Sequence, residues 1–303
     1  MNQSFADRMY HAKWGVFEHF LFDPPGGSHL KERLSQLPWD ARVDMLDTDK
    51  IAHTLHEMGA GYFFITIMQG RKYMAAPNAT YDRIAGTKPG EACPHRDLIA
   101  DLYDSLAPYG IDLYLYFTGD GPYIDREIGE RFGFVEPRKD VSEEFVRRWA
   151  SVLEEYAIRY RGKVRGWWID GCYPYFGYTP ELLNIYYDTL KDVDPTVGVA
   201  FNVDGVKEEL LKSHPLADFT PGECNSLHYV PKSRFIDGAQ AHLLMPIGPM
   251  WGTPGCTYTR EFVADYVRRV NEAGGVVTFD AVILPDGSFD PAQAEVLMLK
   301  GLV

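Results

Sequence analysis

The sequence predicts one (β/α)8 barrel of the TIM type spanning residues 1–303, and three observations lead there. Short β-branched or aromatic runs alternate with longer helical patterns about eight times, the signature of βα units. The chain length of 303 residues suits a single barrel of this class. No Ser/Gly linker, low-complexity tract or second run of strands follows the eighth strand.

Strand one is expected over Trp14 to Phe20, followed by a helix from Thr48 to Met58 with Asp47 as N-cap and Gly59-Ala60-Gly61 at its end. Tyr62 to Ile67 gives strand two. Leu98, Leu102 and Leu106 at helical spacing mark a helix from Asp97 to Tyr109, stopped by Gly110. Strand three is Asp112 to Phe117, and a long helix from Ser142 to Arg161 leads into strand four, Val164 to Ile169. Thr179 as N-cap and Pro180 at the first helical position open a helix that runs to about Val193. Val197 to Asn202 is strand five, and a short helix is expected over Gly205 to Leu211. Ala217 to Thr220 is expected as strand six, His242 to Ile247 as seven and Val276 to Phe279 as eight. A helix from Arg260 to Ala273 precedes the eighth strand, and Asp290-Pro291 starts a closing helix.

Composition narrows the function classes. Hydrophobic and charged fractions of 46% and 24% exclude a disordered or fibrous chain. The 30 Lys+Arg against 43 Asp+Glu leave a net charge of −13, which opposes nucleic acid, an anionic membrane surface or a polyanionic substrate as partner. Tyr62 to Met68 is among the longest apolar runs, well short of the roughly 18 residues of a membrane span. Asp7, Arg8, His11, Lys13 and Glu18 interrupt any apolar leader, so a cytoplasmic location is expected. Cys93, Cys172, Cys224 and Cys256 lie far apart, which fits reduced thiols better than a disulfide framework or a zinc knot. Gly26-Gly27 lacks the surrounding pattern of a phosphate-binding loop.

In such barrels the working residues project from the C-terminal strand ends. Those positions offer His19, Thr66 with Gln69, Thr118 with Asp120, Asp170, Asn202 with Asp204, Glu223 and Asp280, while strand seven ends at Gly248-Pro249-Met250-Trp251. Trp14, Tyr116, Trp167, Trp168, Tyr173, Tyr175, Phe176, Tyr178 and Trp251 crowd the same ends; they suit the C–H faces of a sugar and equally suit an ordinary core. Asp170 ends a buried strand among aromatics, and Glu223 ends the segment Ala217-Asp218-Phe219-Thr220-Pro221-Gly222 two strands away. Glycoside hydrolysis needs two carboxyl groups across the scissile bond. Singly, Asp170 also fits an Asp-Gly turn and Glu223 a solvated loop acid. His228 fits substrate binding or a loop cap, and Cys172 and Cys224, with no evident base beside them, read as buried thiols.

Five segments in order resemble glycoside hydrolase family 29, the α-L-fucosidases. Lys13-Trp14-Gly15-Val16-Phe17-Glu18-His19-Phe20 is similar to that family's K-F-G-I-F-I-H-W. Arg96-Asp97-Leu98 through Gly110 to Tyr116 resembles its R-D stretch ending G-x-Y, and Trp168-Ile169-Asp170-Gly171 its W-x-D-G. Asp218-Phe219-Thr220-Pro221-Gly222-Glu223 is similar to D-F/Y-x-T-P-E. Gly274-Gly275-Val276-Val277-Thr278-Phe279-Asp280, followed by Pro285-Asp286-Gly287, resembles the closing G-G-N-L-L-L-N and P-x-D-G. The resemblance implies a retaining exo-α-glycosidase that cleaves a short glycoside without a cofactor, with Asp170 as nucleophile and Glu223 as acid/base. His19, Gln69, Tyr116, Trp168, His228, Trp251 and Asp280 are the expected sugar-binding residues, with no metal.

The chain departs from the family in four ways: Met68-Gln69 stands where the family has two adjacent histidines, Asp280 stands where it has an asparagine, Gly222 separates the Pro-Glu pair, and no C-terminal β-sandwich is expected. A sugar other than fucose is therefore expected. Two alternatives remain: a metal-dependent sugar isomerase or epimerase using Asp170, Glu223, His228 and Asp280, and a catalytically inactive sugar-binding barrel. In each case the expected partner is a small carbohydrate or glycoside, and a homo-oligomer is compatible with the sequence.

Overall fold

The computed structural model describes residues 4–23, 36–207 and 209–303. Its elements run α1 Phe5–Ala12, β1 Trp14–Glu18, α2 Trp39–Met45, α3 Thr48–Met58, β2 Tyr62–Thr66, α4 Ala79–Ala85, α5 Leu98–Leu106 and β3 Asp112–Thr118. They continue as α6 Arg126–Arg131, α7 Glu143–Arg159, β4 Val164–Asp170, α8 Pro180–Val193, β5 Gly198–Phe201, β6 Phe235–Ile236, β7 Ala239–Gln240, β8 His242–Pro246, α9 Arg260–Glu272, β9 Val276–Asp280 and α10 Pro291–Leu297. Gly26-Gly27 lies outside the described residues.

Seven strands form one sheet in the order β5-β4-β3-β2-β1-β9-β8, every neighbouring pair parallel, and the sheet curls into a TIM-like barrel with helices outside. The gap between β5 and β8 is spanned by residues 217–224. Asp218 N–H donates to Val199 O at 2.9 Å, and Thr220 N–H to Gln240 O at 3.0 Å. Cys224 N–H donates to Leu244 O at 2.9 Å. The expected sixth strand is thus an extended segment held by single bridges, Phe219 to Gln240 and Glu223 to Leu244. Pro221 has no N–H for a ladder, and Gly222 sits at φ +64°, where an added Cβ would lie 1.9 Å from His242 O. That kink ends the strand and turns Glu223 toward the barrel mouth.

The helices start where side-chain caps satisfy their first N–H groups. Asp47, Asp97, Ser142, Thr179, Thr259 and Asp290 each accept from the backbone N–H three residues on. The expected helix over Gly205 to Leu211 is absent among the described residues of that stretch. Its N–H groups are drawn elsewhere: Gly205 N–H donates to the Asn202 side chain and Lys207 N–H to Glu223 O, both at 3.0 Å. Two helices near the start of the chain, α1 and α2, have no counterpart in the sequence expectation.

A large apolar layer fills the space between sheet and helices, and a second cluster fills the barrel interior with Phe17, Tyr62, Phe64, Tyr114, Tyr116 and Trp168. From below, α1 closes the barrel. Phe5 packs on Phe219 and Tyr114 at centroid distances of 5.3 and 6.1 Å, and Met9 is fully buried. With one end plugged, ligand access is confined to the C-terminal strand ends. No helix among the described residues is long and apolar enough to cross a membrane.

Candidate active site

A cavity of about 180 Å³ opens between the C-terminal strand ends. The volume equals that of about six liquid waters, which suits one sugar ring. Phe17, Tyr116, Trp168 and Leu244 line it with apolar surface, and His19, Gln69, Asp170, Glu223 and Trp251 bring the polar and indole groups. Tyr116 and Trp168, neighbours in register on β3 and β4, stack at 5.3 Å with 26° between their planes.

Asp170 is the last residue of β4, and its two oxygens take donors from different directions. Oδ2 accepts from Tyr116 Oη at 2.5 Å and Gln69 Nε2 at 3.4 Å; Oδ1 accepts from Asn202 Nδ2 at 2.9 Å and Tyr173 Oη at 3.3 Å. Burial and the adjacent Asp170 carboxylate push the Tyr116 phenol well above its ordinary range, so it remains a donor. Gly171 follows at φ +69°, and a Cβ there would meet the Asp120 carboxyl at 2.5 Å. The glycine thus lets a second carboxyl pack beneath the first.

Asp120 is almost fully buried, accepting from Arg138 Nε at 2.7 Å and from the Thr118 hydroxyl. Burial pushes its carboxyl up to about 7, against the pull of the Arg138 guanidinium and with a push from Asp170. Arg138 lies over the Tyr123 ring, 3.4 Å from its centroid. Nothing local in the sequence announces this loop arginine.

Glu223 Oε2 accepts from Asn202 Nδ2 at 2.6 Å, so one amide group serves both carboxylates. Burial, followed by the charge of Asp170, pushes the Glu223 carboxyl up to about 7; the Asn202 hydrogen bond and His19 partly oppose the rise. Asn202 is fully buried just beyond β5. The sequence marks it as a polar strand end, and its role becomes visible only when β5 lies between the two carboxylate-bearing segments.

On the other wall, His19 Nδ1 donates to Asp280 Oδ1 at 2.8 Å, and Asp280 Oδ2 accepts from Gly252 N–H at 2.7 Å. Asp280 thus meets a protein donor on each oxygen and is not among the residues that line the cavity. It holds the imidazole and the Trp251 loop, whose rings meet edge to face at 5.8 Å.

His228 is exposed and is not among the residues that line the cavity. Met68 is fully buried in the layer behind the barrel, so of the Met68-Gln69 pair only Gln69 reaches the site. His228 and Asp280 do not converge with Asp170 and Glu223, and no group of three or more potential metal ligands forms among the described residues. Cys172 and Cys224 are free, buried thiols, the first pushed well above the ordinary range by burial and the second to about 11, which suits packing rather than nucleophilic attack.

No family model and no curated protein sequence matches the chain. Solved structures do. An endo-fucoidan hydrolase from glycoside hydrolase family 107 aligns with TM-score 0.69 at 18% identity, covering 95% of this chain and 91% of that one. A family 29 α-L-fucosidase from Bacteroides thetaiotaomicron, captured as a trapped covalent intermediate, aligns with TM-score 0.65 at 17% identity, over 98% of this chain and 74% of that one. The α-L-fucosidase AlfC from Lactobacillus casei, in complex with α-L-fucose, aligns with TM-score 0.64 at 17% identity, over 99% and 98% of the two chains. The chain has the fold of the fucosidase-type glycoside hydrolases.

Proposed function

We propose that the protein is a retaining exo-α-glycosidase of fucosidase type acting on a short glycoside. The observation that carries this reading is the pair Asp170 and Glu223 on one Asn202 nitrogen, at 2.9 and 2.6 Å. The shared nitrogen limits those two oxygens to about 5.5 Å apart, which suits double displacement at roughly 5–5.5 Å and falls short of the roughly 6.5–9.5 Å that leaves room for an inverting water. The captured covalent intermediate of the Bacteroides thetaiotaomicron fucosidase supports the same reaction type by analogy of fold.

Asp170 would attack the anomeric carbon as the glycosidic C–O bond breaks, and Glu223 would give its proton to the departing oxygen. Glu223 would then take a proton from water as that water attacks the same carbon and frees Asp170. A carboxyl held near 7 by burial is suited to both roles.

The sugar follows from the walls. Gln69 is the polar group offered after β2 where family 29 has an imidazole pair, so aryl glycosides of another sugar are expected to outrank aryl α-L-fucoside in kcat/KM. A panel of aryl α- and β-glycosides, with the anomer of the first-formed product read by NMR, tests both statements. α-L-Fucoside ahead by a wide margin would overturn the specificity; an inverted first product would overturn the mechanism.

A further inference from the structure

The Asn202 side chain has only one orientation consistent with its neighbours. Gly205 N–H donates to its Oδ1 at 3.0 Å, and an N–H cannot donate to an amide nitrogen, so the other atom must be the NH2 group. Gly205 itself sits at φ +64°, within the turn that brings its N–H back to the asparagine. The two hydrogens on Nδ2 then point to Asp170 Oδ1 at 2.9 Å and Glu223 Oε2 at 2.6 Å, with Tyr173 Oη more distant at 3.4 Å. An NH2 group donates and cannot accept, so the glutamate oxygen it touches is an acceptor in both protonation states.

We propose that Asn202 is the positioning residue that confines the Glu223 proton to Oε1, by holding Oε2 as an acceptor and tying it to the same anchor that fixes Asp170. The assignment rests on the glycosidase reading for its chemical consequence and on the hydrogen-bond geometry alone for its existence. When Glu223 gives up its proton from Oε1, the Asn202 N–H on Oε2 is already aligned with the anion that forms, so no reorganisation is needed. The same amide keeps the nucleophile and the acid in fixed relation through both displacement steps.

Several groups act on Glu223. Asp170 on β4 and Tyr173 behind it face the carboxyl, His19 approaches from β1, and Cys224 is next in the chain. On its far side a cleft is lined by Asp204, Lys207 and Glu209, with the Lys207 ammonium 3.8 Å from Asp204. Asn202 is the neutral donor in direct contact with the carboxylate, so its removal acts through a lost hydrogen bond and leaves these charges in place.

The test is a carbon NMR titration of Glu223 in full-length protein labelled at the glutamate carboxyls, with Glu223→Gln supplying the assignment. Asn202→Leu keeps the shape and removes the donor. Its Glu223 midpoint is expected about one pH unit above wild type, a shift of the size that losing one hydrogen bond to the charged form produces. The alkaline limb of kcat/KM for an aryl glycoside is expected to move up by the same amount, with kcat falling about tenfold or more and KM little changed. Asn202→Ser, which retains a shorter donor, is expected between the two and is the readout should the leucine variant fail to fold. An unmoved midpoint in Asn202→Leu, or a serine variant displaced as far as the leucine one, overturns the proposal. A shifted midpoint with no glycoside turned over removes the glycosidase reading and leaves the clamp; turnover with an unmoved midpoint does the reverse.

Discussion

Asp280 on one side of the cavity and Glu223 on the other are both carboxylates near the end of a barrel strand or segment, and their surroundings differ in one respect. Asp280 uses both oxygens on the protein itself, one on His19 and one on Gly252 N–H. Glu223 uses Oε2 on Asn202, and among the described residues no hydrogen-bond donor reaches Oε1. Asp170 accepts two donors on each oxygen, Tyr116 and Gln69 on one and Asn202 and Tyr173 on the other, and still lines the cavity. Asp280, away from the cavity lining and tied to His19 and the Gly252 loop, organises the wall, whereas Glu223 lines the cavity and keeps one oxygen clear of protein donors for a substrate.

The largest effect expected from this contrast is at Asp170. Asp170→Gly should fold, because the side chain is partly exposed at the barrel mouth, and should lose roughly 10⁴-fold or more in kcat. Added azide should restore part of the turnover as an external nucleophile, giving a glycosyl azide. Undiminished hydrolysis would remove Asp170 from the reaction.

Glu223→Gln is expected to cost roughly 10²–10⁴-fold, least for an aryl leaving group that departs without a proton. Wild-type activity should fall as pH rises above about 7, because the proton-donating form is lost as pH passes the raised midpoint. In the variant this limb should vanish. A limb that persists would belong to another group, of which buried Asp120, also held near 7, is the first to examine.

The contrast also shows which features local sequence can convey. Asp47 with Gly59 and Thr179 with Pro180 bound their helices as expected, because caps and breakers act within one turn. The segment expected as the sixth strand is held by single bridges and ends for an equally local reason, Pro221-Gly222. The described residues of Gly205 to Leu211 form no helix because the Gly205 and Lys207 N–H groups are claimed by Asn202 and Glu223, partners that only tertiary structure brings near. In α1, Asp7 and Arg8 interrupt the apolar pattern along the chain, whereas Phe5 and Met9, four residues apart, form the face that plugs the barrel. Strand-end position brought His19, Asp170, Glu223 and Asp280 to one end of the barrel without telling which way each carboxyl turns.

A smaller effect should follow at the scaffold-filled carboxylate. Asp280→Asn keeps an acceptor for either His19 or Gly252 N–H and turns an NH2 toward the other donor. The imidazole and the Trp251 loop then cannot both keep their places, and a displacement on the order of 1 Å at a binding wall costs about 10²-fold at most. A loss of roughly 10–100-fold in kcat/KM, with the Glu223 limb still near pH 7, is expected. A loss as large as that of Asp170→Gly would mean that Asp280 takes part in the chemistry.

The smallest effect belongs to Glu18, a second carboxyl on the Asp280 side. It is buried on β1 with 8% exposure, accepting from Ile283 N–H at 2.9 Å. Burial, with a lesser push from Asp280, holds its carboxyl well above the ordinary range. A folded-state value above the unfolded one means that the native protein binds more protons in the window above 4.5, so stability is greatest below that window and declines as pH rises through it. Glu18→Gln has the same shape, can still accept from Ile283 and carries no charge at any pH. The variant should therefore match wild type in Tm near pH 4, below that window, and exceed it near pH 8. A Tm difference that stays constant across that range would show that Glu18 titrates alike in the folded and unfolded chain. Activity at pH 5 should be unchanged, because Glu18 is not among the residues that line the cavity.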